Sequence, residues 1–281
     1  MRLANVTRGR TETFGVATEH GFIDLGPHFG RLCNDVVGLF EQDLIGRARE
    51  MSEGLAPDCS MSDVKFRLPN DRRDARIFAL GWAYAEHQVE TGKEPPKFPN
   101  MFIRTPESLV AHGAALIKPN VSDTFDFEGE IAIVIGKGGR HIPAERAKEH
   151  IGGYSILMDG SIREWQKHSI TAGKNFDRSG AFGPWIVTAD SVSKPQELIL
   201  TTRLNGERMQ TAAFGDMVWE LGHLVHYVST FCHLRPGDVI STGTPAGVGH
   251  KRNPQVFMNV GDIIEVEVEG LGVLSNEVIS E

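Results

Sequence analysis

The chain has 281 residues and a formal net charge of −8, from 37 acidic against 29 Lys and Arg residues. That length suits one large or two unequal units with a sizeable core, while the acidic balance argues against a generic nucleic-acid surface. No apolar run reaches transmembrane length, Met1 to Val6 lack the apolar core of a secretory signal, and the widely spaced Cys33, Cys59 and Cys232 read as free thiols, so the expectation is a cytoplasmic protein without disulfides.

Residues 1–70 read as a small α+β N-terminal domain. Two β-like runs flank the polar turn Thr7-Arg8-Gly9-Arg10, the second continuing through Phe14 to Leu25. A helix is expected from Val36 to Met51, with Val37, Phe40, Leu44 and Ile45 at helical spacing. Gly38 and Gly46 interrupt that pattern. The turn-rich Pro69-Asn70-Asp71-Arg72-Arg73-Asp74 reads as the boundary, with residues 71–281 forming a second, mostly β unit. Its strands are expected at 127–135, 153–159, 184–188, 198–204, 238–242 and 263–269. A short helix should start at Pro143, and a longer one should run from Asp216 to Phe231 with an apolar stripe through Leu221, Leu224, Val225 and Val228. The class is mixed β with α, not a doubly wound sheet.

Asp126-Phe127-Glu128-Gly129-Glu130 alternates acid and apolar before running into Ile131-Ala132-Ile133-Val134-Ile135. In one continuous strand, Asp126, Glu128 and Glu130 would share a face at a spacing of roughly 6.6 Å. Carboxylates that close repel unless a positive charge sits among them. A hard divalent cation fits, since such ions take oxygen ligands. A solvated acidic face is the other reading.

Asp159 follows the apolar run Tyr154-Ser155-Ile156-Leu157-Met158 and should sit at a strand end, with Arg163 and Gln166 on one side of a following helical turn. Alone, this stretch also fits an aspartate cap beside a surface arginine. His87 and Glu90 are three apart, hence adjacent on a helix. A carboxylate there fixes the imidazole tautomer and suits a general base, although a solvated histidine with an exposed glutamate has the same spacing.

Taken in order, Glu128-Gly129-Glu130, Asp159 with Arg163 and Gln166, Lys174-Asn175-Phe176-Asp177, Gly183-Pro184-Trp185, Asn205-Gly206-Glu207 and the run Gly237-Asp238-Val239-Ile240-Ser241-Thr242-Gly243-Thr244-Pro245-Ala246-Gly247-Val248-Gly249 resemble the fumarylacetoacetate hydrolase family over about residues 75–281. The resemblance implies a β-sandwich roll behind a small N-terminal domain, and a homodimer. It implies Glu128, Glu130 and Asp159 as ligands of a divalent metal. An all-oxygen set favours Mg²⁺ or Mn²⁺ over Zn²⁺. His87 and Glu90 would be the catalytic pair on a lid whose hinge spans Thr91 to Pro99. Lys174 would lie by the metal. Arg163, Gln166, Lys174 and Thr244 would hold a small 2-oxo acid, with Asp126 at the rim or behind the ligands. The implied reaction is hydrolysis of a carbon–carbon bond in an acylpyruvate or 2,4-diketo acid. A decarboxylase or tautomerase of an oxaloacetate-type acid would use the same enolate, and a non-catalytic metal- or carboxylate-binding protein is the reading from another class. Three residues depart from the family pattern: Glu164 for aspartate, Trp82 for asparagine and Arg104 for lysine.

Overall fold

The computed structural model describes residues 1–92 and 96–281. Lys93, Glu94 and Pro95 of the expected hinge lie outside the described residues. The core centres on one strand of the larger of two sheets, Gly129–Ile135, whose seven residues are all buried. Its β-branched run suits a position covered on both faces. Ile131, Ile133 and Ile135 pack with Leu200, Val266 and Leu274 of the smaller sheet. Ala132 and Val134 face the other way, toward Val36, Leu39 and Phe40. Each fully buried isoleucine contributes about 1.5–3 kcal/mol relative to an exposed one.

In the larger sheet the strand order is Gly21–Asp24, Thr11–Thr18, Arg2–Arg8, Gly180–Thr188, Ile151–Met158, Gly129–Ile135, Val239–Ser241, Ile77–Gly81 and Asn100–Arg104. Pairing of Leu3 with Ile186 makes the N-terminal hairpin continuous with this sheet. The smaller sheet runs Glu207–Ala213, Ile199–Leu204, Ile263–Val268, Gly272–Ser280 and Leu116–Lys118. Gly129 lets the sheets approach: a Cβ there would lie 2.1 Å from Thr202 Oγ1. The mixed β class and all six strands expected beyond residue 120 are present, with ends shifted by a few residues.

Four local expectations are corrected. The run from Phe14 to Leu25 is two strands, Thr11–Thr18 and Gly21–Asp24. The helix expected from Val36 to Met51 is two, Val36–Glu41 and Ile45–Glu53, broken where Asp43 adopts φ 52°. The long helix spans Leu221–Phe231 and starts later than Asp216, because Met217 bridges Tyr84 and the Val218 amide donates to Ala83 O at 2.8 Å. Asp216 instead accepts from Ala213 N at 3.1 Å, closing a 3₁₀ turn. Pro143 precedes a 3₁₀ segment, Ala144–Glu149, not an α-helix. No helix among the described residues is long and apolar enough to cross a membrane.

Candidate active site and metal centre

The acidic stretch is not one strand. Phe125–Asp126 pairs with Ser161–Ile162, while Gly129–Ile135 pairs with Ile151–Met158. Glu128 lies in the connection between them, and its carbonyl accepts the Asp159 amide at 2.8 Å. That register brings Glu128, Glu130 and Asp159 together. One carboxylate oxygen from each lies within 4.8 Å of the others, and all three residues are buried. Asp126 leaves this group and points elsewhere.

Each acid is fixed by a different set of donors. Glu130 Oε2 accepts Ser241 Oγ at 2.5 Å and the Gly243 amide at 2.9 Å. Gly243 sits at φ 87°, where a Cβ would also meet that of Ala83 at 2.7 Å, so glycine is required for the turn that aims this amide. Asp159 is bound by the fully buried Arg104, whose guanidinium also reaches Gly160 O, Ser108 Oγ and O, and Ser179 Oγ. Lys174 Nζ bridges Glu128 Oε2 at 2.7 Å and Asp159 Oδ2 at 2.5 Å. Arg163 reaches Glu128 Oε1 at 2.7 Å and donates from Nε to Asp126 Oδ2 at 2.7 Å. Asp126 also accepts from the amides of Phe127, Gly249 and His250 at 2.8, 2.8 and 3.0 Å. It therefore holds Arg163 and the 249–250 loop in place from behind the ligands.

Electrostatics separate the two glutamates. Burial pushes Glu128 up, but Lys174, Arg163 and His87 outweigh it and hold the carboxyl down at about 2. Glu130 is pushed well above its ordinary value by burial and then by Asp159 beside it. Formally, four buried carboxylates (Asp126, Glu128, Glu130, Asp159) face three cations, Arg104, Arg163 and Lys174. One negative charge is left over. Glu130 Oε1 is also buried without a hydrogen-bond partner. A hard divalent cation answers both features, and the all-oxygen donor set suits Mg²⁺ or Mn²⁺. The residues present fit such an ion.

A cavity of about 500 Å³ opens above this floor, lined by His87, Glu128, Arg163, Gln166, Lys174 and Thr244 among others. His87 lies on the helix Ala85–Thr91, and its Nδ1 is 2.9 Å from Glu90 Oε2. Glu90 Oε1 accepts the Gly247 amide at 2.9 Å, joining this helix to the loop that carries Thr244. The Thr244 hydroxyl donates to Gly129 O at 3.0 Å and accepts from Gln210 Nε2 at 2.8 Å. Gln166 Oε1 accepts from Arg163 at 3.0 Å, as their shared helical side requires. The structure thus brings His87, Arg163, Gln166, Lys174 and Thr244 to one cavity beside the three acids, with Glu90 behind His87. The surface readings of His87 and Arg163 do not hold: His87 is buried, and the Arg163 guanidinium lies between two buried acids.

Sequence reasoning missed the roles of three supports, Arg104, Ser241 and Gly243, and of Trp82 in the cavity wall. Arg104 holds Asp159, and the apolar run Met101-Phe102-Ile103 before it was the available signal. Ser241 and Gly243 hold Glu130 from across the sheet. Trp82 lines the cavity with φ 57°, a left-handed conformation that asparagine adopts more easily than a bulky aromatic.

Comparison with known proteins agrees with this geometry. The family model "Fumarylacetoacetate (FAA) hydrolase C-terminal" matches residues 76–279. The oxaloacetate tautomerase FAHD2B, mitochondrial, of Bos taurus is 37% identical over 92% of this chain and 84% of its own length. The oxaloacetate tautomerase YisK of Bacillus subtilis (strain 168) is 36% identical over 78% of this chain and 74% of its own. The solved maleylpyruvate hydrolase of Sphingobium sp. SYK-6, in complex with manganese (II) ion and pyruvate, superposes with a TM-score of 0.84 at 25% identity, covering 100% of this chain and 99% of that one. With a match across most of the chain and relatives at this identity, the chain belongs to the fumarylacetoacetate hydrolase family.

Proposed function

We propose that this protein is a metal-dependent enzyme acting on a 2-oxo acid through its enolate, and that it interconverts the keto and enol forms of an oxaloacetate-type substrate. One observation carries this reading: a carboxylate-oriented histidine, His87 with Glu90, lines the same cavity as Lys174 and the three buried acids. A proton carrier and an enolate-stabilising floor are what keto–enol exchange requires. The tautomerase relatives support that choice.

A divalent cation held by Glu128, Glu130 and Asp159 would supply Lewis-acid polarisation of the 2-oxo group. The chain's own residues do the rest. Glu90 keeps the His87 proton on Nδ1, so Nε2 is the basic nitrogen. Nε2 takes a proton from the substrate's C3, and the electron pair moves to the 2-oxo oxygen. Lys174 and Arg163 hold positive charge on the floor where that oxygen becomes negative. Returning the proton to oxygen completes the enol, and the reverse sequence gives the ketone.

Hydrolysis of an acylpyruvate is the second reading, favoured by the likeness to a hydrolase solved with manganese and pyruvate. In it, His87 takes its proton from water, the hydroxide attacks the distal carbonyl, and the carbon–carbon bond breaks to leave a pyruvate enolate on the same floor. One experiment tests both. Enol oxaloacetate decay is followed by ultraviolet absorbance with Mg²⁺ or Mn²⁺, and pyruvate release from acetopyruvate is followed in parallel. Accelerated decay without pyruvate supports the tautomerase. Pyruvate release supports the hydrolase. Neither activity in the metal-loaded protein would overturn the 2-oxo acid reading.

A further inference from the structure

The cavity carries cations that the enolate chemistry does not use. Besides Arg163 and Lys174 on the floor, its lining includes the cations Lys167 and Lys251, with the imidazole of His250 beside them. The inner and outer groups differ in kind. Arg163 and Lys174 are committed to Asp126, Glu128 and Asp159. Among the described residues, Lys167 and Lys251 form no ion pair with a carboxylate, and both line the cavity while exposed to solvent. His250 lines the same cavity beside them. Burial lowers its titration, and Arg163, Lys251 and Lys167 lower it further against the opposing pull of Asp126.

This arrangement is held from below. The His250 and Gly249 amides both donate to Asp126, which also binds Arg163. Gly249 packs so closely that a Cβ would sit 1.8 Å from Val256 O and 2.6 Å from Asp126 Oδ1. Gln255 closes the loop, donating to His250 O at 2.7 Å. Lys167 follows the turn Arg163–Gln166, whose first residue is anchored to the same Asp126. One buried aspartate thus fixes the elements that carry both mouth lysines relative to the floor. In a chain of net charge −8, unpaired cations converging on one cavity mouth call for an anionic ligand.

We infer that Lys167, Lys251 and His250 form a second anion subsite that receives the distal carboxylate of a dicarboxylic 2-oxo acid, so that the enzyme selects dianionic over monoanionic substrates. The inference rests on the 2-oxo acid reading above. The 2-oxo carboxylate end lies on the acidic floor, and the far carboxylate meets the mouth. The walls between them include Leu80, Phe102, Ile170 and Val248, which suit a short carbon chain. A monocarboxylic acylpyruvate would leave the mouth cations in water and gain nothing from them.

The test measures dissociation constants by titration calorimetry on the Mn²⁺-loaded protein. The probes are oxalate, which is too short to span the cavity, and chain-matched pairs of 2-oxo acids: 2-oxoglutarate with 2-oxovalerate, and 2-oxoadipate with 2-oxohexanoate. The readout is the ratio of monocarboxylate to dicarboxylate dissociation constants in the parent and in Lys167→Met/Lys251→Met. The parent should favour the dicarboxylate of at least one pair by on the order of tenfold, and the double variant should bring that ratio close to one. Raising ionic strength should lower the parent's ratio and leave the variant's unmoved. A variant that binds oxalate but keeps the parental ratio overturns the subsite, as does a parent that binds oxalate but shows no preference in any pair. A parent that fails to bind oxalate removes the underlying 2-oxo acid reading, and the subsite falls with it. Because oxalate reports the floor alone, the two failures are distinct.

Discussion

The floor of the cavity and its cover are built on opposite terms. Glu130 lies within a buried strand and Asp159 directly follows one, and their carboxylates meet donors that are themselves buried, namely Ser241, Gly243, Arg104 and Lys174. The cover is a seven-residue helix with Val89 82% exposed, joined to the floor's loop by Glu90 and Gly247. A floor charge is part of the core's own balance, so removing it should damage stability and chemistry together. The cover's groups should be separable from the fold. That contrast can be broken by experiment.

The largest effect is expected for Asp159→Ala. It leaves the Arg104 guanidinium fully buried without its carboxylate and removes one of the two acids from Lys174. Breaking a buried pair this way costs about 3–5 kcal/mol. Urea unfolding should show that loss as a lower midpoint. Mn²⁺ should raise the parent's midpoint, as a ligand of the native state does, and leave the variant's where it was. A variant as stable as the parent would show that the floor is not part of the core's charge balance.

On the cover, His87→Ala should lower turnover by about two powers of ten or more, the usual contribution of a general base. Its stability should change by about 1 kcal/mol or less, within the range of ordinary substitutions. Steady-state kinetics and urea unfolding of the same preparation test both halves. Parental turnover would remove His87 from the mechanism, and a stability loss as large as that of Asp159→Ala would erase the distinction between floor and cover.

The same contrast explains what the sequence revealed. Glu128, Glu130 and Asp159 were legible because motif order carries them and because carboxylates clustered in an apolar run need a cation. His87 and Glu90 were legible from helical spacing. The break at Phe127-Glu128 was not, since the alternation of Asp126 to Glu130 fits one strand equally well. Only pairing with Ser161–Ile162 on one side and Ile151–Met158 on the other divides it. The late start of the helix at Leu221 was hidden likewise, because it depends on the distant Tyr84 and Ala83. The short strands Ile77–Gly81 and Asn100–Arg104 lacked a clear alternation and are defined by long-range partners. Local pattern reports periodicity, whereas register and second-layer contacts such as Arg104 to Asp159 arise from tertiary packing.

Arg104→Lys sharpens the comparison at the floor with a smaller effect. The family resemblance makes lysine the expected residue here, yet the planar guanidinium serves Asp159, Gly160, Ser108 and Ser179 at once. Room for it comes partly from Gly180, where a Cβ would lie 2.7 Å from Arg104 Nη2. An ammonium cannot reproduce that fork. The substitution should cost about 2 kcal/mol from lost buried hydrogen bonds and weaken Mn²⁺ binding by about tenfold, as loss of a group orienting a ligand does. Parental stability and Mn²⁺ affinity together would show that the charge alone matters and the fork does not.

The smallest effect is expected for Glu90→Gln, which tests whether the cover acts through orientation alone. Both Glu90 oxygens are engaged, Oε1 by the Gly247 amide and Oε2 by His87 Nδ1. Glutamine has the same shape but only one accepting oxygen. If that oxygen stays with Gly247, the amide nitrogen faces Nδ1 and donates to it. The His87 proton then moves to Nε2, the nitrogen the mechanism needs unprotonated. Turnover should fall by on the order of tenfold, typical of an orienting carboxylate, with a change in unfolding midpoint too small to match that of Asp159→Ala. The ¹⁵N chemical shifts of His87 give a readout that a purely structural role would not move: Nδ1 protonated in the parent, Nε2 protonated in the variant. An unchanged tautomer with reduced turnover would mean that Glu90 serves only to anchor the helix to Gly247, and the proton-transfer assignment would then rest on His87 alone.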